Sequence, residues 1–179
     1  MADETTDPSR NEPRAGPLDA PPSYRFPKSS EGLLPWTHAV ERLERARNYW
    51  LATTRPSGRP HVTPVWGVWV DGGLYFDGLP TTRWARNIAV TPAIAVHLES
   101  GDDVVIIEGV VEDLVTTADL AVRVIEAWAA KYGRLLPEPA SSGIFRLQPR
   151  TARAWSSASL EDGTRWRFTP AADSTSQRT

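Results

Sequence analysis

The chain has 179 residues, a net charge of −2 at pH 7, no cysteine and eight tryptophans. That length suits one domain with a sizeable core, and the near-neutral charge argues against general affinity for nucleic acid or acidic membranes. Without cysteine there are no disulfides, thiolate metal ligands or cysteine nucleophiles. No apolar run approaches the ~20 residues of a membrane span and no hydrophobic leader opens the chain, so a cytoplasmic protein is expected.

Residues 1–32 are rich in Pro, Asp, Glu, Ser and Arg, and are expected to form a disordered extension, because they bury too little surface to offset ordering entropy. Residues 169–179 read as a disordered tail, which leaves 33–168 as the folded domain. Thr37 is placed to cap a first helix through about Arg47, with Val40, Leu43 and Ala46 at helical spacing. A strand over Tyr49–Arg55 follows, then the turn Pro56-Ser57-Gly58.

Arg59 to Val70 reads as one long strand, closed by the hairpin signal Asp71-Gly72-Gly73 and returned by Leu74–Gly78. These three strands make an antiparallel meander. Alternation puts Val62, Pro64, Trp66, Val68 and Val70 on one face and Thr63, Val65, Gly67 and Trp69 on the other. Neither face is polar, so both need cover: a core on one side and a helix, a subunit or a ligand on the other. Pro64 cannot donate to a ladder and marks an edge or a bulge.

Thr81 or Thr82 caps a short helix, Arg83–Val90, ended by Pro92, with Trp84 and Ile88 facing inward. Strands follow over Ala93–Glu99 and Val104–Asp113, the second with a bulge at Glu108-Gly109. Thr117 caps a longer helix to Tyr132, with Leu120, Val124, Trp128 and Tyr132 on one stripe and Gly133 as its stop. Two strands, Gly143–Leu147 and Thr151–Ser157, precede a loop and the ending Thr164–Phe168. The expected fold is mainly β with flanking helices: six to seven mostly antiparallel strands closing into a barrel.

The sequence has no G-x-G-x-x-G after a strand, no P-loop motif and no nucleophile elbow. His38, His61 and His97 show no metal-ligand spacing, so no metal is expected. Asp102-Asp103 reads as a solvated turn pair. The helix start Thr81-Thr82-Arg83-Trp84-Ala85-Arg86-Asn87 is the better candidate, since free N–H groups, threonine hydroxyls and a forked cation suit a phosphate. A capped surface helix with two solvated arginines would read the same way.

Taken together, Arg59-Pro60-His61-Val62-Thr63-Pro64-Val65-Trp66, the hairpin with Leu74-Tyr75-Phe76, and Thr82-Arg83-x-x-Arg86-Asn87 resemble the split-barrel flavin and deazaflavin oxidoreductases. That superfamily includes the pyridoxamine 5'-phosphate oxidases, and this chain is most similar to its deazaflavin-dependent reductase branch. The tract from His97 to Gly109 and the ending Arg165-Trp166-Arg167-Phe168 fit the same group. The resemblance covers about Trp36 to Phe168. It implies a split β-barrel homodimer with a cofactor at the interface, the deazaflavin coenzyme F420 first and FMN as the alternative. It further implies hydride transfer to a small organic acceptor; the alternatives are an FMN-binding oxidase or reductase of the pyridoxamine-phosphate oxidase-like type, and a flavin-, deazaflavin- or haem-binding protein without turnover.

By the same resemblance, the backbone around Val62, Thr63, Pro64, Val65 and Trp66 holds the ring. Gly78 lies near the ring or ribityl chain, Thr82 and Arg83 bind the phosphate, and Trp155 and Arg165 close the site from the second subunit. Trp84 stands where relatives carry a lysine, and either walls the ligand or packs on the barrel. His61 is the nearest candidate for a proton donor.

Overall fold

A computed structural model describes residues 12–19, 21, 23, 29–112, 117–133, 143–157 and 159–169. Its elements are β1 (Arg14–Pro17), α1 (Trp36–Arg45), β2 (Tyr49–Thr54), β3 (Pro60–Val65), β4 (Gly67–Val70), β5 (Gly73–Gly78), α2 (Arg83–Val90), β6 (Ala93–His97), β7 (Asp103–Glu112), α3 (Ala118–Tyr132), β8 (Gly143–Ser156) and β9 (Ser159–Arg167). Every strand pairing among them is antiparallel. The strands run β1-β9-β8-β7-β6-β2-β3, with β5 joining β4 to β8. Because β3 and β4 are separated only by Trp66, the pairing path returns on itself through β5 and β8. This is a split barrel: covalent continuity closes the ring where hydrogen bonds do not.

The run expected as one strand from Arg59 to Val70 therefore changes partner midway. β3 pairs with β2 as far as Val65 opposite Tyr49, and β4 pairs with β5 from Gly67 opposite Phe76. The break falls at Trp66 and not at Pro64, which sits opposite Trp50 in an edge strand where its missing N–H is tolerated. Gly67 has a packing reason at the junction. A Cβ there would lie 2.8 Å from the Tyr75 carbonyl oxygen, so no larger residue fits without movement.

Polar side chains hold this junction. The Tyr132 hydroxyl receives the Gly67 N–H at 2.9 Å and lies within hydrogen-bond reach of the Gly67 and Arg47 carbonyls, at 2.9 and 2.8 Å. Lys131 Nζ donates to the Ala46 and Gly67 carbonyls and the Tyr49 hydroxyl at 3.0, 3.2 and 2.9 Å. Two adjacent residues of α3 thus satisfy backbone groups that the strand switch and the end of α1 leave unpaired. Burial lowers the Lys131 ammonium to about 8 and raises the Tyr49 and Tyr132 phenols.

The core divides in two. The barrel interior holds Leu43, Leu51, Val65, Trp69, Phe76, Trp84, Ile107, Leu147 and Trp166. A second cluster under α3 joins Val68 and Tyr75 to Val124 and Trp128, with Trp66, Val70, Leu120 and Tyr132 around it. The expected stripe of α3 is therefore the face that docks, Thr117 Oγ1 accepts from the Leu120 N–H at 3.3 Å, and Gly133 ends the helix at φ 67°.

Several expected boundaries move. α1 starts at Trp36 behind Pro35, so Thr37 lies inside the first turn and caps nothing, and the helix ends at Arg45 rather than Arg47. Trp36 sets this start by packing edge-on to Trp166 and Phe168, both at 5.2 Å between ring centroids. The two strands expected at 143–147 and 151–157 are a single strand, β8. Pro149 survives within it because the register shifts beside it: Gly109 lies opposite Pro149 and Glu108 opposite Thr151, so Arg150 of β8 is the extra residue of a bulge. The segment read as a loop after Ser157 is mostly β9. With β1 and β9 the sheet has nine strands instead of six or seven. Arg14–Pro17, inside the segment expected to be disordered, pairs with β9.

Candidate functional site

The alternation along β3 decides what each residue can do. Val65 is in the barrel core, Thr63 and His61 share its face, and Val62 and Pro64 point the other way and are exposed, Val62 by 51%. No described strand occupies the free edge of β3. The backbone groups on that edge are open to another partner, beside two apolar side chains. Trp66 leaves this surface: it stacks on Tyr132 at 5.0 Å and 11°, in the cluster under α3.

α2 packs on β2 and β3. Thr82 Oγ1 accepts from the Ala85 N–H at 3.3 Å, which fixes the helix start. Asn87, fully buried, donates to Thr53 Oγ1 at 2.9 Å, and Thr53 lies within 3.4 Å of the His61 carbonyl. This chain of contacts ties the helix to β3 across β2. Arg83 and Arg86 are exposed and make no ion pair among the described residues. An unpaired cation beside a helix N-terminus is a place where an anionic group is stabilised.

Trp84 is 7% exposed and faces the interior, against Phe76 at 5.5 Å and Phe145 at 4.9 Å. Gly78 lies directly under it, since a Cβ there would sit 2.3 Å from Trp84 Cζ2. These two residues form one packing unit. The glycine makes room for the indole at the second position of the helix, so the cationic character of this helix start rests on Arg83 and Arg86.

Trp155 and Arg165 lie elsewhere on the sheet. Arg165 is opposite Arg153, and Trp155 is two residues along β8 from Arg153, so all three share an outward face. The pairings carry that same face through Ile106 on β7, His97 on β6, and Trp50 and Ala52 on β2 to Pro64 and Val62 on β3. Four to five strand spacings, about 19 to 24 Å at ~4.8 Å each, separate the two ends. Within a single chain α2 packs on β2 and β3, while Trp155 and Arg165 lie four to five strands away from β3.

His61 shares a face with Val65, and its Nδ1 is buried without a hydrogen-bond partner. It is therefore turned away from the surface of Val62 and Pro64. Of the other histidines, His97 stacks on Trp50 at 6.3 Å, and His38 lies 3.4 Å from Asp103. Burial, then the charge of Arg42, lowers the imidazole of His38. Among the described residues no group of three or more acidic, histidine or cysteine side chains is placed to hold a metal ion, and no helix is long and apolar enough to cross a membrane. Sequence reasoning missed the anchoring role of Asn87, although a polar residue between the inward-facing Trp84 and Ile88 was its signal.

Residues 36–156 match the family model described as pyridoxamine 5'-phosphate oxidase. A search of curated protein sequences finds no match. Among solved structures, a conserved hypothetical protein of Mycobacterium tuberculosis shares 24% identity, covering 70% of this chain and 86% of its own, at a TM-score of 0.58. An F420 reductase shares 29% identity over 63% of this chain and 93% of its own, at a TM-score of 0.50. A haem-binding protein of Mycobacterium smegmatis, 18% identical over 69% of this chain and 55% of its own, has the same fold at a TM-score of 0.54. With more than half of its length matched by the family model and a split barrel behind that match, the chain belongs to the pyridoxamine 5'-phosphate oxidase family.

Proposed function

We propose that this protein is an oxidoreductase that transfers a hydride between a reduced deazaflavin coenzyme, held between two copies of the chain, and a small organic acceptor. The observation that carries the reading is the surface of Val62 and Pro64. It is apolar, it borders a strand edge that no described strand occupies, and α2, which packs on the same strand, starts with an Arg83 that is unpaired among the described residues. A flat ring with a phosphate-bearing tail needs those three things: apolar area, backbone donors and acceptors at its polar edge, and a cationic anchor. Likeness to an F420 reductase supports the deazaflavin over other rings.

In this reading the bound coenzyme supplies the hydride chemistry and the protein supplies binding, orientation and exclusion of water. Val62 and Pro64 bear on the ring, with the backbone of Thr63, Val65 and Trp66 completing the platform. Thr82 and Arg83 hold the phosphate, while Gly78 and Trp84 form the floor under the tail. Trp155 and Arg165 of a second copy cover the ring, a role supported by their separation from β3 along the sheet of one chain. The apolar outward face from Val62 to Ile106 supplies the contact between copies, in a two-fold arrangement. His61 is turned inward, so a proton needed by the product comes from solvent or substrate.

The second reading keeps the ring site and removes turnover; the buried Trp84 in place of a cation favours it, because it leaves a thinner anchor for the phosphate. Side-by-side titration of the purified protein with F420, FMN and haem, read by quenching of tryptophan fluorescence, separates these cases. Saturable binding that is tightest for F420, followed by oxidation of the reduced coenzyme on addition of an acceptor, is the expected result. Tighter binding of FMN or haem, or binding of F420 with no turnover across a broad acceptor screen, defeats the leading reading.

A further inference from the structure

At the far end of the same outward face, cross-strand register collects arginines on three neighbouring strands. Arg14 of β1 lies directly opposite Arg167 of β9, and Arg165 of β9 lies directly opposite Arg153 of β8. Arg165 and Arg167 are two residues apart and so share the face. The position opposite Arg165 on β1 is Gly16, with open space where a side chain would stand. Directly opposed like charges destabilise a sheet, and here there are two such pairs side by side. Burial, then the charge of Arg167, lowers the Arg165 guanidinium, so the two cations lie close enough to act on each other.

Two of the four charges are matched. Arg153 pairs with Glu108 at 2.7 Å and Arg165 with Asp19 just beyond β1. Arg14 and Arg167 are exposed and have no ion pair among the described residues. Asp19 itself is 81% exposed, so a carboxylate of the chain reaches the one arginine of the group that is deeply set, at 15% exposure. It behaves as an internal stand-in for an anion.

We propose that Arg14, Arg153, Arg165 and Arg167 form a binding site for a small oligoanion, a molecule with two or more adjacent phosphate or carboxylate groups, and that Asp19 competes for it. The strand spacing of ~4.8 Å and the two-residue repeat of ~6.8 Å place the cations for several charges at once, not for a single one. Guanidinium forks bind phosphate and carboxylate alike, so the site's chemistry is shared between the two sources. Arg165 is also the residue proposed above to close the ring site of a second copy, whereas Arg14, Arg153 and Arg167 belong to this site alone, so the variants tested leave Arg165 in place.

The test is calorimetric titration of the full chain with inorganic triphosphate and, separately, citrate at about 50 mM salt, where screening is modest. Binding of at least one probe is expected, and which of the two binds more tightly assigns the phosphate or the carboxylate source. The double variant Arg14→Gln/Arg167→Gln is expected to weaken that probe about tenfold, while Asp19→Asn tightens it about threefold. Both variants alter exposed groups, and unchanged thermal unfolding checks that they fold. F420 affinity measured on the same samples reports the ring site separately. Failure of both probes to bind at about 10 mM, or equal affinity in the wild type and the double variant, overturns the proposal.

Discussion

The two halves of the segment from Pro60 to Val70 make a controlled comparison. Both alternate in the same way, and both present apolar residues outward. In β4 the outward Val68 is 1% exposed, because Val124 and Trp128 of α3 lie over it; in β3 the outward Val62 is 51% exposed and nothing described covers it. The difference lies in topology and not in side chains. The chain supplies a helix for one half, and no described element covers the other, which is where the proposed ring and second copy would sit. An apolar strand face is thus evidence of cover, but only the arrangement of the remaining elements says whether the cover is internal.

The largest way to break this contrast is to remove the internal cover. Trp128→Ala is expected to cost about 4 kcal/mol, as truncation of a buried tryptophan does, and to lower the urea midpoint without changing the end state of the barrel strands in circular dichroism. Next, Tyr132→Phe removes the hydroxyl that serves the Gly67 N–H and the Arg47 carbonyl, while Lys131 still reaches the Gly67 carbonyl, at a cost of about 1–3 kcal/mol. The same measurement checks it, and a loss below a few tenths would show that water replaces the hydroxyl. On the uncovered half, Arg83→Ala is expected to weaken F420 binding about tenfold, or about 1.4 kcal/mol, with folding unchanged. Equal dissociation constants would remove Arg83 from the site.

A pH series sharpens the contrast through Lys131. Its ammonium titrates near 8 in the folded chain against 10.5 ordinarily, so between those values the unfolded chain binds more protons. Stability therefore rises as pH increases from about 8 towards 10, by about 1 kcal/mol once solvent screening of a half-exposed amine is allowed for. Lys131→Met should abolish the slope in chemical denaturation. The smallest stability effect belongs to Val62→Asp, expected within about 0.5 kcal/mol of wild type. The same change should eliminate self-association in light scattering and weaken F420 binding, whereas a wild-type monomer at micromolar concentration would break the two-copy arrangement itself.

Much of the frame was legible in the residues because local chemistry set it. Thr82 and Thr117 cap their helices, Gly133 ends α3 in the left-handed region, and the bulge falls at Glu108-Gly109. The misses were decided by distant partners. Trp36, packed among Trp166 and Phe168, starts α1 ahead of Thr37, and the switch at Trp66 exists because β5 and Tyr132 take over where β2 stops. Pro149 interrupts the pattern of β8, yet the bulge at the adjacent Arg150 absorbs the irregularity. In the site, the inward burial of Trp84 depends on the bare backbone of Gly78, a contact that no local pattern encodes.

The position of β8 has a consequence for how the barrel comes together. It pairs with β5, β7 and β9, partners drawn from both ends of the domain, and it is the second-last strand in the chain. During synthesis β4 and β5 emerge as a hairpin whose outer edge waits some seventy residues, from Leu74 to Leu147, for its neighbour. Contacts of such long sequence separation are formed late and slowly, on the order of milliseconds to seconds for β-rich domains. The nascent chain therefore passes through a stage in which most strands exist and the ring is open. The arrival of β8 is what ends the exposure of those edges.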